Sequence, residues 1–215
     1  MRVLALSLIL TFPAVGACQI YAFKVPTKSI SAKVKPQDIK GLLKLYPLIV
    51  NGSFFDPPTK TVLGFVVSGG KVLNKGVFKD AVVVKDEKAS LVTFKSPSNL
   101  NDVDFAISAG PILVRNGKVV VGKEKSEVKL SLRQKARRCG VGILNPQTLI
   151  IIVSTQPLTL TEFATLFVRY GATDALNLDG GNSVFLAYKG KVYVWKRNPL
   201  NVLLAAEAFK VSKSK

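Results

Sequence analysis

The chain contains no histidine. That absence removes Ser-His-Asp and Cys-His catalysis and every histidine-ligated metal site. Acid–base chemistry therefore falls to the 13 aspartates and glutamates. Asp80, Asp86, Glu87, Glu124 and Glu127 sit in lysine-rich stretches and read as solvated surface charges. Glu162 stands three residues after Thr159, the spacing of a helix capping box. Among the other seven, two stand in glycine-containing turns that leave strands. Asp56 closes Asn51-Gly52-Ser53-Phe54-Phe55-Asp56, and Asp179 is the third residue of Asn177-Leu178-Asp179-Gly180-Gly181-Asn182-Ser183.

The second turn is the more informative. Strand alternation places Ala175, Asn177 and Asp179 on one face and Leu176 and Leu178 on the other. Polar side chains at alternate positions beside paired glycines describe a strand end where a ligand can approach the backbone. Spacing alone serves a plain hairpin turn with solvent-facing Asn and Asp equally well, and it does not decide whether Asp179 holds a lone metal ion. Other motifs fail. Gly117 to Glu124 nearly spells a phosphate-binding loop, but Glu124 stands where Ser or Thr is needed. Gly181 to Phe185 lacks the second glycine of a nucleophile elbow, and no histidine exists to activate Ser183.

The elements that must carry these residues are mostly strands. Residues 20–34 read as two short strands broken at Pro26, and Pro36 opens a short helix through Ile39, Leu42 and Leu43. Strands follow at 47–51, 62–68, 71–74, 81–85 and 90–94. Gly69-Gly70 and Asn116-Gly117 mark hairpins. The Lys- and Glu-rich interval 122–137 reads as a mobile loop, with strands resuming at Val141 and Thr148. A helix spans 159–170, with Leu160, Phe163, Ala164, Phe167 and Tyr170 on one face and Gly171 ending it. Four more strands complete the chain, at 174–178, 183–188, 191–195 and 203–209. The expected class is α+β: a mixed, largely antiparallel sheet with a few flanking helices, in a single domain.

Several separated segments resemble the phosphodiester glycosidase family, in the family's order. They are Asn51-Gly52-Ser53-Phe54-Phe55; Ile107 to Val114 with the Asn116-Gly117 hairpin; Arg138-Cys139-Gly140-Val141-Gly142; and Leu158 to Glu162, leading through Gly171 into Asp174–Ser183. The resemblance is strongest over residues 45–190. It departs where the family commonly has Arg-Thr-Ala-x-Gly, because Cys139 replaces the hydroxyl residue. What it implies is a hydrolase that splits a sugar–phosphate diester at the anomeric C–O bond, with no cofactor. Asp179, Arg138 and Asn177 become the catalytic group. Asn51, Ser53, Phe54, Phe55, Asp56, Gly110, Gly180, Gly181, Asn182 and Ser183 line the substrate site.

Chemistry supports such an assignment. The leaving group is a phosphate monoester whose second pKa is about 6, so it departs without the strong general acid of ordinary glycosidases. Asp179 can attack the anomeric carbon or activate water. Arg138 can hold phosphate through its planar fork. Asn51, Asn177 and Asn182 can bind sugar hydroxyls, and Ser183 a phosphate oxygen. Phe54-Phe55 fit either a sugar face or the core. Two other readings stay open: a non-catalytic module binding anionic glycan or lipid, and a phosphodiesterase attacking phosphorus.

The 215 residues, 48% of them hydrophobic and 20% charged, can build a sizeable core. Lys and Arg outnumber Asp and Glu by 31 to 13, a formal charge of +18 that attracts polyanions. Met1-Arg2 followed by an apolar run to Val15 and the small residues Gly16-Ala17 reads as a signal peptide over 1–17, leaving 18–215 as the mature domain. Val15-Gly16-Ala17-Cys18 loosely resembles a lipobox, so Cys18 is a candidate for lipidation and membrane attachment. Export to the periplasm or cell envelope favours phosphate-bearing glycans or lipid surfaces as partners, and no nucleic acid is expected. With only Cys18 and Cys139, no disulfide framework exists, though one bridge between them is conceivable.

Overall fold

The computed structural model describes residues 19–96, 100, 102–121, 134–195 and 201–212. The expected signal peptide, Cys18 and the loop stretch 122–133 with Glu124 and Glu127 lie outside the described residues. The described strands form three sheets. The largest has seven: β1 (Ile20–Pro26), β9 (Ile112–Arg115), β10 (Lys118–Val119), β11 (Ala136–Asn145), β12 (Thr148–Leu158), β13 (Asp174–Asn177) and β17 (Lys210–Val211). Their order is β10-β9-β13-β11-β12-β1-β17. A second sheet joins β2 (Ile30–Val34), β3 (Leu48–Asn51), β14 (Leu186–Tyr188), β15 (Lys191–Val194) and β16 (Val202–Ala206), in the order β15-β14-β3-β16-β2. The third joins β4 (Val66–Ser68), β5 (Lys71–Asn74), β6 (Asp80–Lys85), β7 (Lys88–Thr93) and β8 (Phe105–Ala109), in the order β5-β4-β8-β6-β7.

Every strand pairing among the described residues is antiparallel. This corrects the expectation of a mixed sheet, and three sheets replace one. The reason is local. Two-residue turns at Gly69-Gly70, Asp86-Glu87, Asn116-Gly117 and Lys189-Gly190 all have positive φ, which matches the twist of tight hairpins. A parallel pair needs a long crossover, and the described residues carry only two α-helices to supply one. These are α1 (Ile39–Leu45), capped by Asp38, and α2 (Leu160–Arg169), whose Thr159 and Glu162 complete the expected capping box. Neither is long and apolar enough to cross a membrane.

One buried cluster draws on all three sheets, with Phe23, Val141 and Ile151 from the first, Val50 and Leu204 from the second, and Val82 and Ile107 from the third. The sheets therefore share an interior. On the outer face of the seven-stranded sheet, α2 sets Phe163 and Phe167 against Leu113, Ile150, Ile152 and Ala175. Glycine makes that approach possible. A Cβ on Gly142 would lie 2.8 Å from the Phe167 ring, and one on Gly140 would lie 3.0 Å from both Phe163 and Phe167.

Three of the boundaries that differ from the sequence pattern bear on the packing around the site. β11 begins at Ala136 rather than Val141, so the last two residues of the expected loop and Arg138 after them belong to a strand. β4 begins at Val66, since the Phe65 N–H donates to the Ser108 hydroxyl instead of to a neighbouring strand's carbonyl. Strand β16 stops at Ala206, where the Glu207 N–H turns to the Ser29 carbonyl.

Candidate active site

Asp179 sits where two sheets meet. After β13 the Leu178 N–H donates to the Cys139 carbonyl at 2.9 Å, still following β11. One residue later the Asp179 N–H donates to the Gly52 carbonyl at 3.0 Å, just beyond β3 in the other sheet. Asn51 locks this crossing. Its buried amide donates to the Asp179 carbonyl at 2.5 Å and accepts from the Phe185 N–H at 3.0 Å. Both ends of the Asn51 amide are thus committed to backbone, which makes it a brace for the turn.

Glycines set the conformation of the turn. A side chain on Gly180 would meet the Arg137 carbonyl oxygen at 2.9 Å, and Gly181 has φ +61°. The Gly180 N–H donates to Asp179 Oδ1 at 2.8 Å, and the Ser183 hydroxyl also bonds the carboxylate. Burial nevertheless prevails over those two hydrogen bonds and pushes the Asp179 pKa up to about 6. A carboxylate poised near neutrality suits proton transfer. Asn182, in the same short turn, is exposed.

Asn177 lies two residues back on the face that also carries Ala175, as alternation predicts. It is only 4% exposed. Its Nδ2 donates to the Gly110 carbonyl at 3.1 Å, which fixes the amide orientation, because only the NH2 end can donate there. Oδ1 then faces the other way, buried and without a donor among the described residues. A buried acceptor left unpaired is costly, so it needs a hydrogen-bond donor from beyond the described residues. Gly110 forms a cis peptide with Pro111. Phe78 stands next to Gly110 and packs on Phe54 with ring centroids 5.3 Å apart.

Arg138 is 8% exposed. Its Nε donates to the Leu158 carbonyl at 3.0 Å and its NH2 to the Gln134 carbonyl at 2.7 Å. Burial lowers its pKa from the ordinary arginine value. Its Cδ lies 4.0 Å from where a Gly180 Cβ would be, so the side chain passes directly beside the Asp179 turn. No ion pair joins Arg138 to Asp179 among the described residues.

Three further sequence candidates make contacts within the fold. Ser53 is buried and donates to the Ser108 carbonyl at 2.6 Å. Phe55 bridges to Val62 and lies under the Lys60 ammonium. Asp56 accepts from the Thr59 N–H and hydroxyl, which hold its pKa below the ordinary carboxylate value in an exposed turn. Gln134, whose carbonyl takes Arg138, and Phe78 had no sequence signal; Gly52 and Leu158, whose carbonyls take Asp179 and Arg138, lie in the quoted motifs but act through backbone, which side-chain patterns do not mark. Cys139, which replaces the family's hydroxyl residue, is buried with its thiol 3.5 Å from the Asn51 carbonyl. Burial and the nearby Asp179 charge raise its pKa. Among the described residues no cluster of three acidic or thiol side chains is placed to hold a metal ion.

The phosphodiester glycosidase family model matches residues 46–208 of this chain. No curated protein matches it. Among solved structures, it is similar to the zebrafish N-acetylglucosamine-1-phosphodiester alpha-N-acetylglucosaminidase catalytic domain auto-inhibited by its pro-peptide. That likeness has a TM-score of 0.72 at 19% identity, over 85% of this chain and 74% of that one. A hypothetical protein from Synechocystis gives a TM-score of 0.57 at 15% identity, over 88% of this chain and 56% of that one. Both likenesses show the fold.

Proposed function

The chain belongs to the phosphodiester glycosidase family, and from that membership we propose that it hydrolyses a sugar–phosphate diester at the anomeric carbon–oxygen bond, with Asp179 as the base. The observation that carries the reading is Asp179 itself: a part-buried carboxylate of pKa about 6, fixed by backbone bonds from two sheets. Water attacks the anomeric carbon while Asp179 takes its proton. The bond from that carbon to the phosphate oxygen breaks, and its electron pair leaves with the phosphate monoester. The sugar keeps the oxygen of the attacking water.

Asn177 Oδ1 accepts from a hydroxyl or amide N–H of the sugar, which supplies its missing donor. Exposed Asn182 offers a further contact at the mouth of the turn. Arg138 holds the departing phosphate with those guanidinium hydrogens not given to Leu158 and Gln134. Those two carbonyls fix the fork in place beforehand, so little rotamer freedom is lost on binding. The name of the zebrafish neighbour makes diesters of N-acetylglucosamine 1-phosphate the first substrates to test.

The reaction in oxygen-18 water tests which bond breaks. The label is expected in the released sugar, read by mass spectrometry. Label in the phosphate product would mean attack at phosphorus and would reject the glycosidase reading.

A further inference from the structure

A groove of about 450 Å³ lies where the second and third sheets come together. α1 and the segment leading into it contribute Pro36 and Leu42, the β4–β5 hairpin contributes Leu73, and edge strand β2 contributes Ala32 and Val34. The apolar lining is aliphatic throughout. Part of it meets water: Leu73 is 41% exposed, and Leu45, one turn after Leu42 on the same flank of α1, is 72% exposed.

The polar side chains of the lining, Lys33 apart, are bonded within the fold. Ser68 Oγ accepts from the Ala32 N–H at 3.0 Å, Asp38 Oδ1 accepts from the Gly41 N–H at 2.8 Å, and Gln37 Nε2 donates to the Lys35 carbonyl at 3.1 Å. What the groove offers beyond hydrocarbon is positive charge. The Lys33 ammonium stands 5.2 Å from the centre of the Tyr46 ring. Lys35, Lys40, Lys44 and Lys71 lie exposed on the elements around it, and Asp38 is the one carboxylate in residues 30–46 and 66–75. Lys35 also takes φ +45° directly before Pro36, a strained backbone of the kind that clusters at ligand sites.

We infer that this groove binds a single anionic lipid, its alkyl chain along Val34, Pro36, Leu42 and Leu73 and its charged head at Lys33. Aliphatic walls whose polar neighbours are already bonded suit a ligand with a hydrocarbon body, and the volume falls within the roughly 300–1,000 Å³ of small-molecule sites. The lysines select the sign of the head group. A peptide strand fits less well, because the Ala32 N–H it would need is spent on Ser68 and Pro36 has none to give. No lining residue belongs to the Asp179–Arg138 site, so the inference stands apart from the phosphodiester reading.

The test is isothermal titration calorimetry of the full chain with dodecyl phosphate kept below its micellar concentration. One equivalent is expected to bind, more weakly at about 0.15 M salt than at about 0.01 M. Inorganic phosphate and dodecyltrimethylammonium should give no comparable binding. Leu73→Asp places a charge on the aliphatic wall and should weaken dodecyl phosphate by at least about tenfold. Leu73→Ala, a milder change at an exposed position, should weaken it about threefold. Lys33→Gln should cost several-fold and flatten the salt dependence. Equal affinity for dodecyltrimethylammonium, equal affinity for inorganic phosphate, or unchanged affinity in both Leu73 variants would each overturn the assignment. So would capture on phosphatidylglycerol vesicles with no binding of monomeric dodecyl phosphate, which would make this face a bilayer-docking surface instead.

Discussion

At the residue scale, Asp179 is expected to limit both rate and stability, in opposite directions. A base must be ionised, so kcat/KM should rise with pH through about 6, the value to which burial lifts this carboxylate from an ordinary 3.8. The same shift costs folding free energy. Between those two values the folded chain binds more protons than the unfolded one, so stability falls as pH rises, and above about 6 the whole cost is present. Asp179→Asn removes it. The variant should lose about 10²–10⁴-fold in kcat while gaining about 1–3 kcal/mol of unfolding free energy at pH 8 and almost nothing at pH 3. Urea denaturation at the two pH values, beside steady-state kinetics, measures both. A folded Asp179→Asn that keeps wild-type kcat would remove Asp179 from the mechanism. An unchanged stability at pH 8 would mean that the carboxylate is better solvated than its surroundings imply.

At the element scale, the support for the site comes from α2 lying flat on β11. Gly142 and Gly140 leave no side chain in the way, and Phe167 fills the space. Gly142→Ala places a methyl 2.8 Å from Phe167 and 3.0 Å from the Asp174 carbonyl, which cannot yield. The expected cost is about 1–3 kcal/mol by overpacking. Adding Phe167→Leu should recover part of it, a coupling that a double-mutant cycle in urea reads directly. Strict additivity would mean the helix does not press on Gly142. How much of this was legible follows the same physics. The capping box at Thr159 and Glu162, the Gly69-Gly70 and Asn116-Gly117 hairpins and the alternation that sends Leu176 and Leu178 to the shared core and Ala175 to the other face are local patterns, and each is present in the fold. The turns at Asp86-Glu87 and Lys189-Gly190 carry weaker signals, yet their residues take the same positive φ. What distinguishes Asn51 from Asn177 was not legible. Both are buried amides in matching motifs, but one has both ends tied to backbone and the other has an acceptor with no donor among the described residues. That difference depends on which chain lies opposite, and no spacing within the sequence encodes it. The three-sheet division is hidden for the same reason, since alternation marks an inward face without saying what it faces.

At the scale of the whole molecule, charge sets the approach of substrate. The formal charge is +18, and the described residues contain only two ion pairs, Arg115–Asp174 and Lys135–Glu162. Most lysines are therefore unneutralised at short range, and their fields add outside the surface. A phosphodiester is an anion, so this field should speed its capture without touching the chemical step. Such attraction is screened over a Debye length of about 30 Å at 0.01 M salt and about 8 Å at 0.15 M. Arg138 lies inside that range of any bound phosphate and is largely buried, so its own contact resists screening. Salt should then divide the kinetic constants. From low to physiological ionic strength, kcat/KM for a singly charged diester is expected to fall several-fold while kcat stays constant. A substrate carrying several phosphates should fall more steeply, because each charge feels the same field. Stopped-flow or initial-rate measurements across a salt series, with a methyl diester against an oligomeric sugar phosphate, decide the point. If both slopes are flat, the lysines do nothing for encounter and serve solubility alone. If kcat falls together with kcat/KM, salt is reaching the guanidinium of Arg138, and the closed, water-poor phosphate contact inferred from its burial is wrong.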